Sequence, residues 1–339
     1  MSNKESALPD AAAQLEKLIR GFQISRMIRL TADLGLADRI PADGYRPVVD
    51  LAAECGVVPD AVLRICRALA SFGIFEVIGN QIGHSNLSRC LRTDAKPSLH
   101  LSARFWTAPG SWGAWEELDK GLVPGEPPHE ARWGMSRFEY MSKHPDEGRI
   151  YDARMAGSSG DRQQAIAEAY DFSHISHLID VGGGNGELLR AILTRHLQVR
   201  GTVYDRSHVV SLIPPDALMD GRLNVLSGDF FVEIPIGADA YLLSWILHDW
   251  SDDLCIKILG NCRKVASHGA RLLIADRILE PDPARGNPLD YLSDIQMMVL
   301  GGRERTVPEF EKLLSATGFS LSSVTPTASI VSVIEALPT

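Results

Sequence analysis

A glycine-rich turn between two apolar segments carries the most informative chemistry in the chain. Residues 178–189 read LIDVGGGNGELL, in which Leu178 to Val181 suit a buried strand and the segment from Glu187 suits a helix. The glycines between them let backbone lie against a ligand, and the helix start offers N–H groups to an anion. This pattern predicts a cofactor site at the turn.

The spacing of the glycines excludes two common nucleotide sites. In a dinucleotide fingerprint counted from Gly182 and Gly184, the third glycine position falls on Glu187, whose negative side chain would meet a pyrophosphate. A phosphate-binding loop is excluded because no Gly-Lys-Ser/Thr follows the turn. The pattern that remains is G-x-G-x-G at Gly182, Gly184 and Gly186, which lacks a phosphate cradle.

Acidic residues accompany this turn at positions that suit a nucleoside. Asp180 lies in the first strand, and Asp205 ends the next apolar segment, where it can accept both hydroxyls of a ribose. Asp229 precedes Phe230, so a carboxylate could accept from an adenine amino group while a ring stacks on the base. Together these residues describe a site for an adenosyl group without phosphates.

Four sequence blocks in this order resemble the small-molecule O-methyltransferases that use S-adenosylmethionine. The blocks are Val181-Gly182-Gly183-Gly184-Asn185-Gly186, Gly228-Asp229-Phe230-Phe231, His248-Asp249-Trp250-Ser251-Asp252 and Gly301-Gly302-Arg303-Glu304-Arg305-Thr306. The resemblance spans nearly the whole chain. It implies S-adenosylmethionine as methyl donor, S-adenosylhomocysteine as product and a small aromatic, phenolic or polyketide-like acceptor. Ser244 stands where plant members carry a lysine near the adenine, so we assign it to the donor pocket as well.

The chemistry implied by the resemblance needs a base but no metal. The methyl group of a sulfonium is already activated, whereas a phenol with a pKa of about 10 is mostly protonated at neutral pH. His248 is the candidate general base, and Asp276 or Glu304 could orient it through the other ring nitrogen. Plant members carry glutamate at the position of Asp276, which leaves its role open.

Alternative readings of the same residues are less specific. Ser251 can cap a helix that runs to about Arg263, which would explain the acids beside it but not His248. Glu304 could be a solvated loop acid that pairs with Arg303 and Arg305 at the surface.

The acceptor residues follow from the resemblance and from an aromatic-rich segment. Tyr151 and Met155 look like the family's phenylalanine and methionine that hold the acceptor ring, and Met297 lies on a predicted helix 289–300 that should face the acceptor. Four of the six tryptophans lie between about residues 104 and 155, where they could line a cleft or simply pack a domain junction.

Two further segments position these residues. From residue 161 onward strands alternate with helices, which predicts an α/β, doubly wound, Rossmann-like parallel sheet. Its strands are expected at 178–181, 201–205, about 223–227, 240–246, 270–276 and 329–335. Ligands in such sheets bind beyond the carboxyl ends of the strands, so Asp205, His248 and Asp276 should face one crevice.

The N-terminal segment predicts a winged-helix arrangement used for dimer contacts. Two helices at 47–55 and 59–72 are joined around Gly56, and a strand pair turns at Gly79-Asn80. Residues 11–36 carry apolar side chains on more than one helical face, which favours a subunit partner. We therefore expect three domains: a dimerisation domain at 1–100, an aromatic-rich helical linker at 101–160 that lines the acceptor cleft, and a catalytic domain at 161–339.

Composition limits the remaining classes of function. The formal net charge of −9 and the absence of a basic recognition helix argue against a nucleic-acid partner. No apolar run reaches transmembrane length and the first residues do not form a secretory signal, so we expect a cytoplasmic homodimer with reduced cysteines. Two alternatives stay open: a donor-binding homologue that hydroxylates or decarboxylates a polyketide, and, less favoured, a winged-helix regulator.

Overall fold

The computed structural model describes residues 8–123 and 125–339, with side chains for residues 10–123, 125–155 and 162–339. The chain divides into two compact units. The N-terminal unit comprises residues up to Gly113 together with Met141–Arg154, and the C-terminal unit comprises Ala114–Tyr140 together with Met155–Thr339. The predicted domain limits at residues 100 and 160 stay a prediction.

The helices lie along the whole described chain. They are α1 (Leu8–Ile19), α2 (Gly21–Asp33), α3 (Leu36–Arg39), α4 (Val48–Cys55), α5 (Pro59–Ala70), α6 (Asn86–Arg89), α7 (His100–Trp106), α8 (Pro109–Glu116), α9 (Pro128–Trp133), α10 (Arg137–Lys143), α11 (Pro145–Ala169), α12 (Glu187–Arg195), α13 (Ser207–Val210), α14 (Asp252–Val265), α15 (Pro288–Leu300) and α16 (Val307–Ala316). Short 3₁₀ helices occur at Leu118–Leu122, Phe172–His174, Pro215–Gly221 and Leu247–Asp249.

The strands form two sheets. They are β1 (Tyr45–Pro47), β2 (Glu76–Ile78), β3 (Gln81–Gly83), β4 (His177–Val181), β5 (Arg200–Asp205), β6 (Leu223–Ser227), β7 (Ala240–Ser244), β8 (Arg271–Asp276), β9 (Phe319–Pro326) and β10 (Ser332–Pro338). The first three make a small antiparallel sheet in the order β1-β3-β2, and the others make a sheet in the order β6-β5-β4-β7-β8-β10-β9.

The N-terminal unit has the predicted winged-helix arrangement. Gly56 ends α4 in the left-handed region, with φ 65°, and Pro59 opens α5 at a position where its missing N–H costs nothing. Leu51 of α4 and Leu69 of α5 are fully buried in a core that also includes Ile82 of β3. Strand β1 was not predicted, because three residues that include a proline give no alternating pattern to recognise.

Apolar side chains of the first two helices remain uncovered in the single chain. Leu15, Leu18, Ile19 and Phe22 are each more than half exposed, the largest exposed fraction being 71% at Leu18. This exposure agrees with the expectation that these helices bury their apolar faces against another surface.

The large sheet of the C-terminal unit is mixed rather than parallel. Neighbouring strands among β4 to β8 pair in parallel, as predicted, but β10 runs antiparallel to both β8 and β9. The prediction of an entirely parallel sheet was therefore wrong at this edge, and β9 was missed. Its sequence, FSLSSVTP, alternates apolar and polar residues only at its start and is rich in serine, as expected for an edge strand with one solvated side.

Helices cover both faces of this sheet. Tyr241 and Leu243 of β7 belong to a core formed with α14 and α16, whereas Ala240 and Leu242 belong to a second core formed with α12. Successive strand residues point to opposite faces, so a continuous apolar run is what a strand covered on both sides requires. The strand order reverses between β5 and β7 around β4, and such a switch point is where ligands bind in open α/β sheets.

Candidate active site

The glycine-rich turn links β4 to α12 and depends on its glycines. Gly182, Gly184 and Gly186 adopt φ values of 75°, 57° and 76°, which L side chains rarely adopt. A Cβ at Gly186 would lie 2.9 Å from Cγ2 of Val203, and one at Gly182 would collide with Ile246. At Gly184 a Cβ would meet nothing within 4 Å. The turn is therefore packed against protein at two of these glycines and open at the third.

Asp180 and Asp205 lie on either side of this turn. Asp205 ends β5, as predicted, and its Oδ2 accepts a hydrogen bond from the Gly184 N–H at 2.9 Å. Asp180 is fully buried in β4, and its Oδ1 has no hydrogen-bond partner among the described residues. Burial and the nearby charge of Asp205 raise the pKa of Asp180 to about 7. The carboxyl edge of β4 and β5 thus holds two acids, one of them with an unpaired oxygen.

The segment after β6 brings an aromatic ring to the same turn. Cε1 of Phe230 lies 3.5 Å from where a Gly182 Cβ would be, and Nδ2 of Asn261 donates to the Phe230 carbonyl oxygen at 3.0 Å. Asp229 accepts the Phe231 N–H at 2.8 Å, which closes a local turn, and its Oδ2 lies 3.5 Å from a guanidinium nitrogen of Arg206. The ring of Phe230, one of the two predicted neighbours of an adenine, is therefore close to the glycines.

The start of α12 is less open than the sequence predicted. Its N-cap, Gly186, offers no side chain, but the Glu187 N–H donates to Oδ1 of Asn185 at 3.2 Å. At least one of the N–H groups expected to be free for an anion is therefore already bonded.

Strand β7 ends two residues earlier than predicted, at Ser244. Trp245 adopts φ 58° although it is not glycine, and its ring meets the ring of His248 edge to face, with centroids 4.9 Å apart. The guanidinium of Arg162 lies over the Trp245 ring, 4.2 Å from its centroid. Ser244 itself is half-buried at the strand end, next to Ala275 of β8.

His248 lies in the short 3₁₀ helix that follows β7 and is buried, with 6% of its surface exposed. Its Nδ1 is 3.4 Å from Oε1 of Glu304, and its Nε2 is 3.6 Å from Oδ1 of Asp249. Asp276, at the end of β8, is completely buried, and neither of its oxygens has a hydrogen-bond partner among the described residues. Of the two predicted orienting acids, Glu304 therefore contacts the ring nitrogen directly.

The electrostatics of this cluster favour a protonated imidazole. Burial alone would lower the pKa of His248, but the hydrogen bond with Glu304 and the charges of Asp249 and Asp276 outweigh burial and raise it to about 9. Burial raises the pKa of Asp276 to about 7, although the His248 charge acts in the opposite direction. Near neutral pH the cluster therefore holds a protonated His248 beside an Asp276 that is close to its titration midpoint.

The alternative reading of Glu304 as a solvated loop acid was wrong. Glu304 is 4% exposed, and its backbone N–H donates to Oδ1 of Asp294 at 2.9 Å. Arg303 pairs instead with Asp252 and Glu309.

Arg305, which only the alternative interpretation of Glu304 placed at the surface, is a fully buried support for the His248 segment. Its guanidinium donates to the carbonyl oxygens of Leu247 and Trp250, at 2.8 and 2.9 Å, and pairs with Asp252 at 2.8 Å. The backbone of Arg303 also donates to the His248 carbonyl oxygen at 2.9 Å. Sequence reasoning missed this role because charge alone suggested a surface pair.

Gly302 and Ser251 also shape this segment. A Cβ at Gly302 would lie 2.7 Å from the carbonyl carbon of Asp249, so the chain passes too close for any other residue. Ser251 is the N-cap of α14, but its side chain makes no capping hydrogen bond, and the predicted capping role was wrong in this respect.

The predicted acceptor residues belong to different units and stay predictions. Tyr151 lies in the N-terminal unit, where its ring centroid is 5.8 Å from that of Phe105. Met155 and Met297 lie in the C-terminal unit and are half-buried. In that unit the Trp115 indole donates to Oε1 of Gln296 at 2.8 Å, a contact that sequence reasoning did not propose.

Metal sites, cysteines and membrane-spanning helices also bear on the function of the described part of the chain. Within it, no group of His, Cys, Asp and Glu side chains is arranged to hold a metal ion. All five cysteines are free thiols, and Cys66, Cys255 and Cys262 are buried. No helix among the described residues is long and apolar enough to cross a membrane.

Comparisons with protein families match most of the chain. Residues 115–320 match an O-methyltransferase domain, and residues 16–94 match an O-methyltransferase dimerisation domain.

Curated relatives match over their full or nearly full length. The phenazine O-methyltransferase PhzM of Lysobacter antibioticus is 36% identical, over 99% of each chain. The 3-amino-4-hydroxybenzoate 4-O-methyltransferase of Streptomyces cremeus is 34% identical, over 95% of this chain and 89% of that protein.

Solved structures resemble the chain as a whole. The mitomycin 7-O-methyltransferase MmcR superposes with a TM-score of 0.88 at 29% identity, over 99% of this chain and 100% of that one. The O-methyltransferase NcsB1 from neocarzinostatin biosynthesis, solved with S-adenosyl-L-homocysteine and 1,4-dihydroxy-2-naphthoic acid, superposes with a TM-score of 0.78 at 29% identity, over 93% and 96%.

Proposed function

The chain belongs to the family of S-adenosylmethionine-dependent O-methyltransferases, and on this basis we propose that it methylates a phenolic hydroxyl of a small aromatic acceptor, with His248 as general base. The observation that carries the proposal is the buried contact between Nδ1 of His248 and Glu304, beyond the carboxyl end of β7. A carboxylate at Nδ1 favours the tautomer in which Nε2 can accept a proton.

The class of acceptor is supported by the names of the relatives. One is named for a phenazine and another for an aminohydroxybenzoate, and NcsB1 was solved with a dihydroxynaphthoic acid. All three compounds are small aromatic ring systems, and two carry phenolic hydroxyls by name. We therefore propose a phenolic ring system of one to three rings as acceptor.

The residues around the glycine turn fit the donor. We propose that Asp205 accepts the ribose hydroxyls, that Asp229 accepts from the adenine amino group and that Phe230 stacks on the base. The open space at Gly184 and the unpaired oxygen of Asp180 support this assignment, since both offer contacts that protein atoms do not fill. When bound, S-adenosylmethionine supplies an already activated methyl group on a positively charged sulfur.

His248 must be neutral before it can remove a proton from the acceptor. With a pKa of about 9 it is protonated at neutral pH. A second positive charge in the same crevice destabilises an imidazolium, so we propose that the pKa of His248 falls when the cationic donor is present. Glu304 then holds the neutral ring in the orientation that faces the acceptor hydroxyl.

We also propose that the working form is a homodimer. The dimerisation-domain match covers residues 16–94, and Leu18, Ile19 and Phe22 within it are more than half exposed in the single chain. Sedimentation velocity should give a species of twice 37.1 kDa at micromolar concentration. A stable species of the single-chain mass that is active would contradict this proposal.

The reaction can be tested before the acceptor is identified. The purified protein is incubated with isotope-labelled S-adenosylmethionine and a panel of hydroxybenzoates, naphthols and hydroxyphenazines, and products are identified by mass spectrometry. We expect one label per modified hydroxyl, together with S-adenosylhomocysteine. Binding of a nicotinamide dinucleotide with no response to S-adenosylmethionine in calorimetry would contradict the donor assignment.

A further inference from the structure

Arg277 lies inside the cluster around His248, although no motif pointed to it. It follows Asp276 at the end of β8, and only 11% of its side chain is exposed. Its Nη1 pairs with Oδ1 of Asp290 on α15, and its Nε lies 3.7 Å from Oε1 of Glu304. A guanidinium buried to this extent requires anionic partners, and one of the two present is the carboxylate that contacts His248.

The contact between Arg277 and Glu304 is longer than a hydrogen bond. At 3.7 Å the two atoms form an ion pair but not a hydrogen bond. Nε of Arg277 and Oε2 of Glu304 are both buried without a hydrogen-bond partner among the described residues. A movement of either side chain by less than about 1 Å would bring Nε of Arg277 within hydrogen-bond distance of the Glu304 carboxylate. The buried Nε would then have a hydrogen-bond partner.

Two aspartates of helix α15 anchor Glu304, one through Arg277 and the other through the Glu304 backbone. Asp290 and Asp294 are four residues apart, so they lie on one face of the helix. Asp290 holds the Arg277 guanidinium, whereas Oδ1 of Asp294 accepts the Glu304 backbone N–H at 2.9 Å. The side chain and the backbone of Glu304 are therefore both tied to α15.

We propose that Arg277 is a positioning residue for the base, which holds the Glu304 carboxylate on Nδ1 of His248 and ties this pair to α15 through Asp290. The proposal rests on the proposed function of His248, and it adds a cation that neither the sequence blocks nor the family match assigns. Among the described residues, Glu304 forms ion pairs only with His248 and Arg277.

The charge of Arg277 also balances the acids that face His248. Asp249 faces it from the same 3₁₀ helix and Asp276 from β8, while Glu304 reaches it from the segment after α15. The cations that contact members of this cluster are Arg277 at Glu304, Arg305 near Asp276, and Arg162 over the ring of Trp245, which itself packs on His248. Loss of the Arg277 charge alone would hold the His248 proton more tightly, but loss of its hold on Glu304 weakens the contact that raises the His248 pKa. The second effect should prevail, because the Glu304 hydrogen bond is the largest of the influences that raise this pKa.

The test compares Arg277→Met, Arg277→Lys and wild type in two measurements. The first is a ¹³C NMR titration of the His248 ring in the full-length, histidine-labelled protein, assigned with His248→Gln. The second is the pH dependence of kcat at saturating donor. The matched control is Arg271→Met, which removes an arginine at the opposite end of β8 that pairs with Glu335 at 3.2 Å.

We expect Arg277→Met to move the His248 midpoint and the acid limb of kcat to lower pH by about half a unit or more, because Glu304 no longer holds the imidazolium. The plateau of kcat should fall about 10-fold at unchanged donor affinity, because the ring loses its orientation. Arg277→Lys keeps the charge, so the midpoint should stay near that of wild type while kcat falls several-fold. Arg271→Met should change neither curve.

A His248 midpoint in Arg277→Met that does not move to lower pH would overturn the proposal. If Arg277→Met does not fold, the test rests on Arg277→Lys. Wild-type turnover of Arg277→Lys would then also overturn the proposal. The titration does not depend on turnover. A wild-type protein that methylates no acceptor, together with the expected shift in Arg277→Met, would therefore refute the proposed function and leave the positioning role of Arg277 supported.

Discussion

The two ends of the candidate site are built in different ways. The proposed donor end depends mainly on backbone: three glycines with positive φ lie between β4 and α12, and the Gly184 N–H donates to Asp205, the last residue of β5. The base end is made from side chains: His248, Asp276 and Glu304 come from three segments and meet in a buried cluster. The backbone geometry of a glycine turn can be predicted from neighbouring residues. A charge cluster brings together residues that are distant in sequence, so it can be recognised only in the folded chain.

The two ends should therefore respond differently to mutation. The glycine turn positions a ligand but carries no titratable group of its own. Substitutions there should therefore alter the affinity for the donor rather than the pH dependence of turnover. The base end sets protonation, so changes there should alter turnover and its pH dependence. We expect binding and catalysis to separate between the two ends.

The strongest effect should be on turnover at the base end. His248→Ala should lower kcat by about 100-fold to 10,000-fold, because proton removal loses its acceptor, while donor affinity stays nearly unchanged. Stopped-assay kinetics and calorimetry measure the two quantities on the same preparation. Loss of donor affinity together with turnover would show that the two ends are not separable.

The second effect concerns stability at the base end. The pKa of His248 is raised from its ordinary 6.5 to about 9 on folding, so the proton bound by the native state stabilises it below pH 6.5. This contribution, up to about 3 kcal/mol, should be lost as pH rises through 9. Chemical unfolding of wild type and His248→Gln between pH 6 and pH 10, at one protein concentration, measures it. A difference between the two proteins that does not change with pH would contradict the assignment.

The third effect is on affinity at the donor end. Asp205→Ala should weaken donor binding by about 10-fold to 100-fold, because it removes the proposed ribose acceptor and frees the Gly184 N–H. Turnover at saturating donor should fall much less. Asp205→Asn keeps one acceptor oxygen and serves as the matched control, with an intermediate loss. Equal affinities for all three proteins in calorimetry would place the ribose elsewhere.

The weakest effect is expected from the orienting acid. Glu304→Gln keeps a hydrogen-bonding oxygen but removes the charge, so kcat should fall about 10-fold. In the His248→Ala background the same substitution should cost little more, because Glu304 acts through the imidazole. A full additional loss of about 10-fold in the double variant would mean that Glu304 acts on its own.

Sequence reasoning succeeded where the signal was local. The G-x-G-x-G pattern, Asp205 at the end of its strand and Gly56 between α4 and α5 each depend on neighbouring residues, and each is where it was predicted. The strands β4 to β8 were also found, because apolar runs bounded by turns report burial directly.

Sequence reasoning failed where position depends on distant partners. The direction of β10 is set by pairing with β8 and β9, which nothing in its own seven residues specifies. Arg305 was given no role beyond the alternative surface pair with Glu304, yet it is buried because its guanidinium pairs with Asp252, more than fifty residues away. The early end of β7 likewise follows from the φ of Trp245, for which its sequence gives no signal.

Turnover as a function of acceptor pKa, measured for wild type and His248→Ala with one series of substituted phenols, separates a catalytic His248 from a structural one. We predict that the variant loses most with weakly acidic phenols and least with strongly acidic ones, and that raising the pH restores part of its rate as the acceptor ionises in solution. Wild type should depend much less on acceptor pKa. If His248→Ala turns over weakly acidic phenols as fast as wild type does, His248 is structural and the rate rests on alignment alone.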